Sequence, residues 1–287
     1  MKVNLNLDLA NRSEAFRIEF AEICQEPDLL SELSRDKSTQ ILVKVGRNSY
    51  TKKEDLIRLA HSSDATVQSA VAQNENKYEE VINILVHSKF SVVKFEIIQS
   101  TTNPDILDIL ATDSDYLVRQ MVAINPTTRI ETRLRLTEDS NVLVRRAIAK
   151  CKHINEAIRK KLAKDPDYLV RAYIAEREDI TPEELHEMSL TEKDIFVLRT
   201  ISANIITDGN TLDRLAQKSS DLWISIAKNP NTLRKTLDFL VESDNIDILI
   251  AVIKHKNTSR QALGVLREHS NSYIRNYAYN HLIYKQD

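Results

Sequence analysis

The sequence predicts an all-α solenoid of about ten two-helix repeats, each of roughly 26 residues. Three observations carry that expectation. A Val-Arg pair recurs at Arg119, Arg145 and Arg171, twice inside the identical stretch DYLVR. Apolar residues flank the pair at fixed offsets in copy after copy. Three glycines and six prolines in 287 residues are too few for a hairpin-rich β protein.

With the arginine as position zero, the equivalent residues are Leu42, Gln68, Lys94, Arg119, Arg145, Arg171, Arg199, Trp223, Ile250 and Arg275. Position −1 is apolar from Ile41 to Ile274, and +3 is apolar in every copy except Ser202. Position +4 is small in most copies, as at Gly46, Ala72, Ala123, Ala149 and Ala175. Apolar positions at −1, +3 and +4 define one face of a short helix, and a small residue there lets a neighbouring helix come close.

Taken in order, Asn11–Glu14 opens a helix running to about Glu26, ahead of Pro27, that reads as the N-terminal cap. Before it, Val3, Leu5, Leu7 and Leu9 alternate with polar residues in a strand pattern, which suits a disordered or docked tail or pairing with another chain. Each repeat then needs a second helix. Thr51-x-x-Glu54, Thr128-x-x-Glu131, Thr181-x-x-Glu184 and Thr258-x-x-Gln261 fit the capping box that starts one. Asn125-Pro126 and Asn229-Pro230 stop the preceding helix, since proline disfavours helical geometry in the residue before it. Helices this short cannot bury their apolar faces alone, so the units must stack. The division expected is 1–32 for an N-terminal segment and capping helix, 33–282 for the repeats and 283–287 for a tail. Tyr273, Tyr277 and Tyr284 are expected to cover the last repeat.

The stretches LATDSDYLVRQMVAINPTTRIETRL and LAKDPDYLVRAYIAEREDITPEEL resemble the leucine-rich variant repeats and, more broadly, HEAT-like α-helical solenoids. The resemblance implies a right-handed superhelix that binds other macromolecules. A well-known leucine-rich variant protein holds an iron–sulfur cluster on an N-terminal cysteine group. Cys24 is the sole cysteine in that region here, so no cluster is carried over.

Six residues before the arginines stand Asp113, Asp139 and Asp165, ahead of Arg119, Arg145 and Arg171. HEAT-like arrays pair such an Asp and Arg in a ladder between repeats, and the planar guanidinium fork suits it. The other reading is a stripe of arginines offered to a ligand. Positions +1 and +5, by contrast, share no chemistry among copies: +5 runs Arg47, Gln73, Gln99, Ile124, Lys150, Glu176, Asn204, Lys228, His255, Asn280. Those columns are the candidate for a surface that reads a partner, or for a solvated face free to drift.

The net charge is −2, yet residues 116–177 hold 14 basic and 7 acidic side chains. Arg129, Arg133, Arg135, Arg146, Lys150, Lys152, Lys160 and Lys161 supply a candidate basic patch for an anionic partner. The main expectation is a non-catalytic scaffold that binds another protein with an acidic surface. The alternative is a nucleic-acid module, or a HEAT-like DNA glycosylase using the basic centre. One tryptophan and a net acidic balance argue against the latter. No P-loop, G-x-S-x-G or H-E-x-x-H motif is present, and no metal or cofactor is expected. Two cysteines make no disulfide framework. The longest apolar run, six residues from Ile248 to Ile253, spans no membrane, and the first residues lack a signal-like apolar core. These features point to the cytoplasm.

Overall fold

Helices of six to thirteen residues, below the length that is stable alone, make up the chain. The structure, a computed structural model, describes residues 8–284 and contains 21 α-helices and no strand among them. The alternating stretch before Asp8 and the side chain of Tyr284 lie outside that description. Leu9 is buried in a 3-10 turn. Two compact units divide the chain, Met1–Ala147 and Ile148–Asp287.

In the first unit the helices are α1 (Glu14–Ile23), α2 (Pro27–Leu33), α3 (Thr39–Arg47), α4 (Lys53–Ala60), α5 (Ala65–Ala72), α6 (Glu79–Leu85), α7 (Ser91–Ser100), α8 (Pro104–Leu110), α9 (Tyr116–Ile124), α10 (Ile130–Leu136) and the start of α11 (Val142–Lys150). The second unit takes the end of α11, then α12 (Glu156–Leu162), α13 (Tyr168–Ala175), α14 (Pro182–Thr191), α15 (Ile195–Ala203), α16 (Gly209–Lys218), α17 (Trp223–Lys228), α18 (Arg234–Leu240), α19 (Ile246–Lys254), α20 (Arg260–Arg267) and α21 (Ser272–Tyr284). Within each unit odd helices pack on odd helices: α1 on α3, α3 on α5 and so to α9, then α13 on α15 and so to α21. Even helices form the other layer, as α4 on α6 and α16 on α18.

The packing follows from the columns. Position −1, from Ile41 to Ile274, and position +3, from Val45 to Ala278, are buried in every repeat. Gly46 shows why +4 is small: a β-carbon there would stand 3.2 Å from that of Ala70.

Two registers need correction. Buried Val197, Leu198, Ile201 and Ser202 show that position zero in its repeat is Leu198, and Arg199 is exposed at +1. Likewise Leu249 is buried at zero and Ile250 sits at +1. The physical reason is that burial, not charge, sets the register, and Arg199 lies one residue past the buried face. The repeat starts then run 171, 198, 223, 249 and 275, more evenly spaced than before.

The helix starts also differ in part. Thr181 forms the capping box with Glu184. Thr51, Thr128 and Thr258 do not cap: they are buried, and each hydroxyl donates to the carbonyl six residues earlier, Val45, Val122 and Val252. Thr207 and Thr232 do the same, so this Thr stitches the end of one helix to the connection that follows. The helix expected to run to Glu26 ends at Ile23, and Pro27 begins α2. At the far end Tyr273 and Tyr277 stack at 5.8 Å, and Tyr277 meets His281 at 4.5 Å.

Candidate functional site

Most polar groups at the repeat junctions are already engaged with one another, and sorting them shows what is left for a partner. Arg119 bridges two repeats. Its Nε and Nη2 donate to the Asp139 carboxylate of the next repeat at 2.6 and 2.8 Å, and its Nη1 donates to the Asp113 carbonyl at 2.7 Å. The six-residue offset is therefore a backbone contact within the repeat, and the carboxylate is borrowed from the following one. Lys94 pairs with Asp113 in the same way, and Arg17 with Asp36 at 2.7 Å, so α1 already stacks as an odd helix. In the second unit Arg171 donates to the Glu192 carboxylate at 2.6 and 2.9 Å and to the Asp165 carbonyl at 2.8 Å. Arg145 donates to the Asp139 carbonyl at 2.9 Å. Gln68 is a neutral rung, bonded to the Ser62 carbonyl and to Ser88. Trp223 also replaces the arginine: its indole N–H donates to the Ala216 carbonyl at 2.8 Å and its ring meets Phe239 at 5.3 Å.

Burial pushes the Asp139 carboxyl up, but the Arg119 guanidinium and the Asn141 amide outweigh it and hold it below the usual aspartate range. Glu192 is held low against the same burial by Arg171 and by the amides of Asp194 and Lys193.

A second ladder escaped the reading of the sequence. At +6, Asn74 donates to the carbonyls of Gly46 and Asn48, and Asn229 to those of Ser202 and Asn204, all at 2.8–2.9 Å. Asn48, Asn125 and Asn204 act alike toward the preceding repeat. Arg177 reaches the Ala149 and Cys151 carbonyls at 3.0 and 2.8 Å, and His255 the Asn229 carbonyl at 2.8 Å. The Asn-Pro pairs were its visible trace.

Several of the basic residues are engaged within their own unit. Arg133 is a correction: it is 2% exposed, and its guanidinium lies against the carbonyls of Ala123, Thr128 and Asn125 at 3.1, 2.6 and 2.5 Å. It fills the even-helix slot that Leu56, Leu212, Leu237 and Leu263 fill elsewhere, five residues after the buried threonine. That column was the missed signal. Arg129 is neutralised by Asp105 and Asp108. Arg135 is 63% exposed, with Asp108 3.8 Å away, and Lys160 pairs with Glu156 at 2.6 Å. Arg146 is half-buried, and both it and Lys161 have partners. Arg129 and Arg135 belong to the even layer of the first unit, and Lys160 and Lys161 to the even layer of the second. Lys150 and Lys152 share a hollow in the second unit. Lys150 stands 4.0 Å over the Tyr173 ring, beside Glu176, Glu178 and Asp179.

The columns without common chemistry are different. Position +5 is exposed in every repeat: Arg47, Gln73, Gln99, Ile124, Lys150, Glu176, Ala203, Lys228, Lys254 and Asn280. In the second unit this face of the odd helices is hollowed. A recess of about 450 Å³ holds Lys150 and Glu176, one of about 500 Å³ holds Glu176, Arg199 and Phe196, and one of about 700 Å³ opens between α17 and α19. Among the described residues no group of three His, Cys, Asp or Glu could hold a metal ion. No helix among them is long and apolar enough to cross a membrane. Cys24 and Cys151 are buried free thiols.

Stacked helix pairs tied by rungs of Arg–carboxylate and Asn–carbonyl bonds define an α-helical solenoid repeat protein. Among solved structures, one described as a leucine-rich repeat variant with a repetitive structural motif matches 77% of this chain and 88% of its own, at 20% identity and TM-score 0.58. The likeness at that identity is one of fold. Two designed armadillo repeat proteins, one made for modular peptide recognition, align over 90% of this chain and 99% of theirs. Their TM-scores are 0.17 and 0.14 at 13% and 10% identity, too low to carry any argument. No protein-family model and no curated protein sequence matches the chain.

Proposed function

We propose that this protein is a non-catalytic scaffold whose odd-helix face, in the second unit, holds another protein presenting carboxylates. One observation carries the reading: +5, the column exposed in every repeat, is also a column free of a common chemistry. The stacking columns are buried, and the rung and +6 columns are largely spent on neighbours. What varies is therefore what a partner meets. The partner contacts fall on Lys150, Lys152, Arg199, Lys228 and Lys254. Two buried thiols without a disulfide suit the reducing cytoplasm. The nucleic-acid alternative has less support, since Arg133 is buried, Arg129 and Lys160 are neutralised, and Glu176, Glu178 and Asp179 crowd the Lys150 hollow.

A photo-crosslinking residue placed at Thr200 on the odd face and at Glu183 on the even face tests this in cells that make the protein. Discrete adducts from Thr200, absent from Glu183 and resistant to nuclease, are expected. Adducts that nuclease removes, or equal labelling from both faces, would contradict the reading.

A further inference from the structure

The hollow between α17 and α19 is unlike the other recesses on its face, because its two walls repeat each other. α17 contributes Ile224 at +1 and Lys228 at +5, and α19 contributes Ile250 and Lys254 at the same offsets, 26 residues on. Ala227 and Ala251 complete an apolar floor, and the recess holds about 700 Å³, more than one aliphatic side chain occupies. Ile224 and Ile250 are half-exposed and both lysines are exposed. No other repeat carries an Ile–Lys pair at these offsets.

Among the described residues no carboxylate lies within ion-pair distance of either lysine. Neither forms an ion pair among the described residues: Lys254 lies 5.7 Å from the Tyr277 ring centre, and Lys228 has no charged neighbour in hydrogen-bond range. Lys256, the third lysine at the rim, has a partner of its own. Asp247 is the one carboxylate in the lining. His255 is engaged by the backbone: its Nε2 bonds the Asn229 carbonyl and its Nδ1 accepts from the Asn257 amide at 3.1 Å. Other exposed lysines do find a carboxylate, as Lys52 does in Asp28 and Lys235 in Asp213.

Resting on the scaffold reading above, we infer that this hollow seats an aliphatic or aromatic side chain of a peptide segment whose neighbouring carboxylates bind Lys228 and Lys254. The apolar floor supplies burial for the anchor. The two lysines, one on each wall, select acidic residues on either side of that anchor and reject basic ones.

Selection of a random twelve-residue peptide library on the full-length protein tests this. Peptides combining a Leu, Ile, Met or Phe with two or more nearby Asp or Glu are expected to be enriched. Their affinity should fall at least tenfold for Lys228→Glu/Lys254→Glu and for Ile250→Asp. The lysine variant should keep its melting temperature, because both side chains are exposed. Enrichment of basic or uncharged peptides, or affinities within twofold for the lysine variant, would overturn the inference. Peptides that instead lose binding on Lys150→Glu or Arg199→Glu would overturn it while leaving the odd-face reading intact. Failure to enrich any peptide would count against both.

Discussion

Two arginines in the same basic segment show how differently one residue type is used. Arg119 is a rung: its side chain is 14% exposed and that of Asp139 4%, so either partner left alone is a charge with little water. Arg119→Ala should cost about 1–3 kcal/mol, read as a shift in urea or thermal denaturation. Arg119→Lys should recover only part, because an ammonium cannot bond both oxygens in a fork. The rung carboxylates also set an acid response. The pKa values of Asp139 and Glu192 lie below the unfolded 3.8 for aspartate and 4.5 for glutamate, so the contribution of these two is full above those values and is lost as pH falls through the folded ones. Melting temperature should therefore drop steeply below about pH 4, and Asp139→Asn should flatten that slope while lowering stability at pH 7. Arg133 is no surface residue. Arg133→Leu, restoring the residue of four other repeats, should be tolerated far better than Arg133→Glu, which puts a carboxylate among three carbonyl oxygens and should prevent folding. The six-residue Asp–Arg spacing marked the arginines in the sequence but not their carboxylate partners, which lie 20 and 21 residues further on. The burial of Arg133 was legible only by lining up the even helices, where it stands in a leucine column.

At the scale of the helices, the apolar faces of the odd row were readable throughout because burial repeats with the period. The even helices were harder: short, and with their starting threonines turned to another use. A Thr followed three residues later by Glu looks the same whether the hydroxyl caps an amide, as at Thr181, or donates backwards to a carbonyl, as at Thr128. The Asn column was hidden in the same way, since Asn before Pro also reads as a stop. Asn229→Ala should cost about 2–4 kcal/mol, because a buried and a part-buried carbonyl lose their donor at once, and Asn229→Asp should be no milder. Close approach gives a further test. A β-carbon on Gly209 would lie 2.6 Å from Leu233 and 2.8 Å from the Asn231 carbonyl. Gly209→Ala should lower the melting temperature despite the better helix propensity of alanine, with a cost of about 1–3 kcal/mol.

For the whole molecule, the sequence made the solenoid class and the candidate columns legible, but not the hollows. Charge counted along the chain placed Arg129, Lys150 and Lys160 together, whereas alternate helices face opposite layers and neighbouring carboxylates neutralise part of the set. The position of a recess depends on side-chain shape across repeats, which periodicity does not contain. The central claim is a division of labour: shared charges build the stack, and the varied odd-face columns of the second unit hold the partner. A paired measurement of melting temperature and crosslinking yield from Thr200 tests it most directly, comparing Arg119→Ala with Lys150→Glu/Lys228→Glu. Arg119→Ala should melt earlier and crosslink normally per folded molecule, and the lysine variant should melt normally and lose most of its crosslink. An Arg119→Ala protein of normal stability that no longer crosslinks, or a lysine variant that crosslinks in full, would contradict the account.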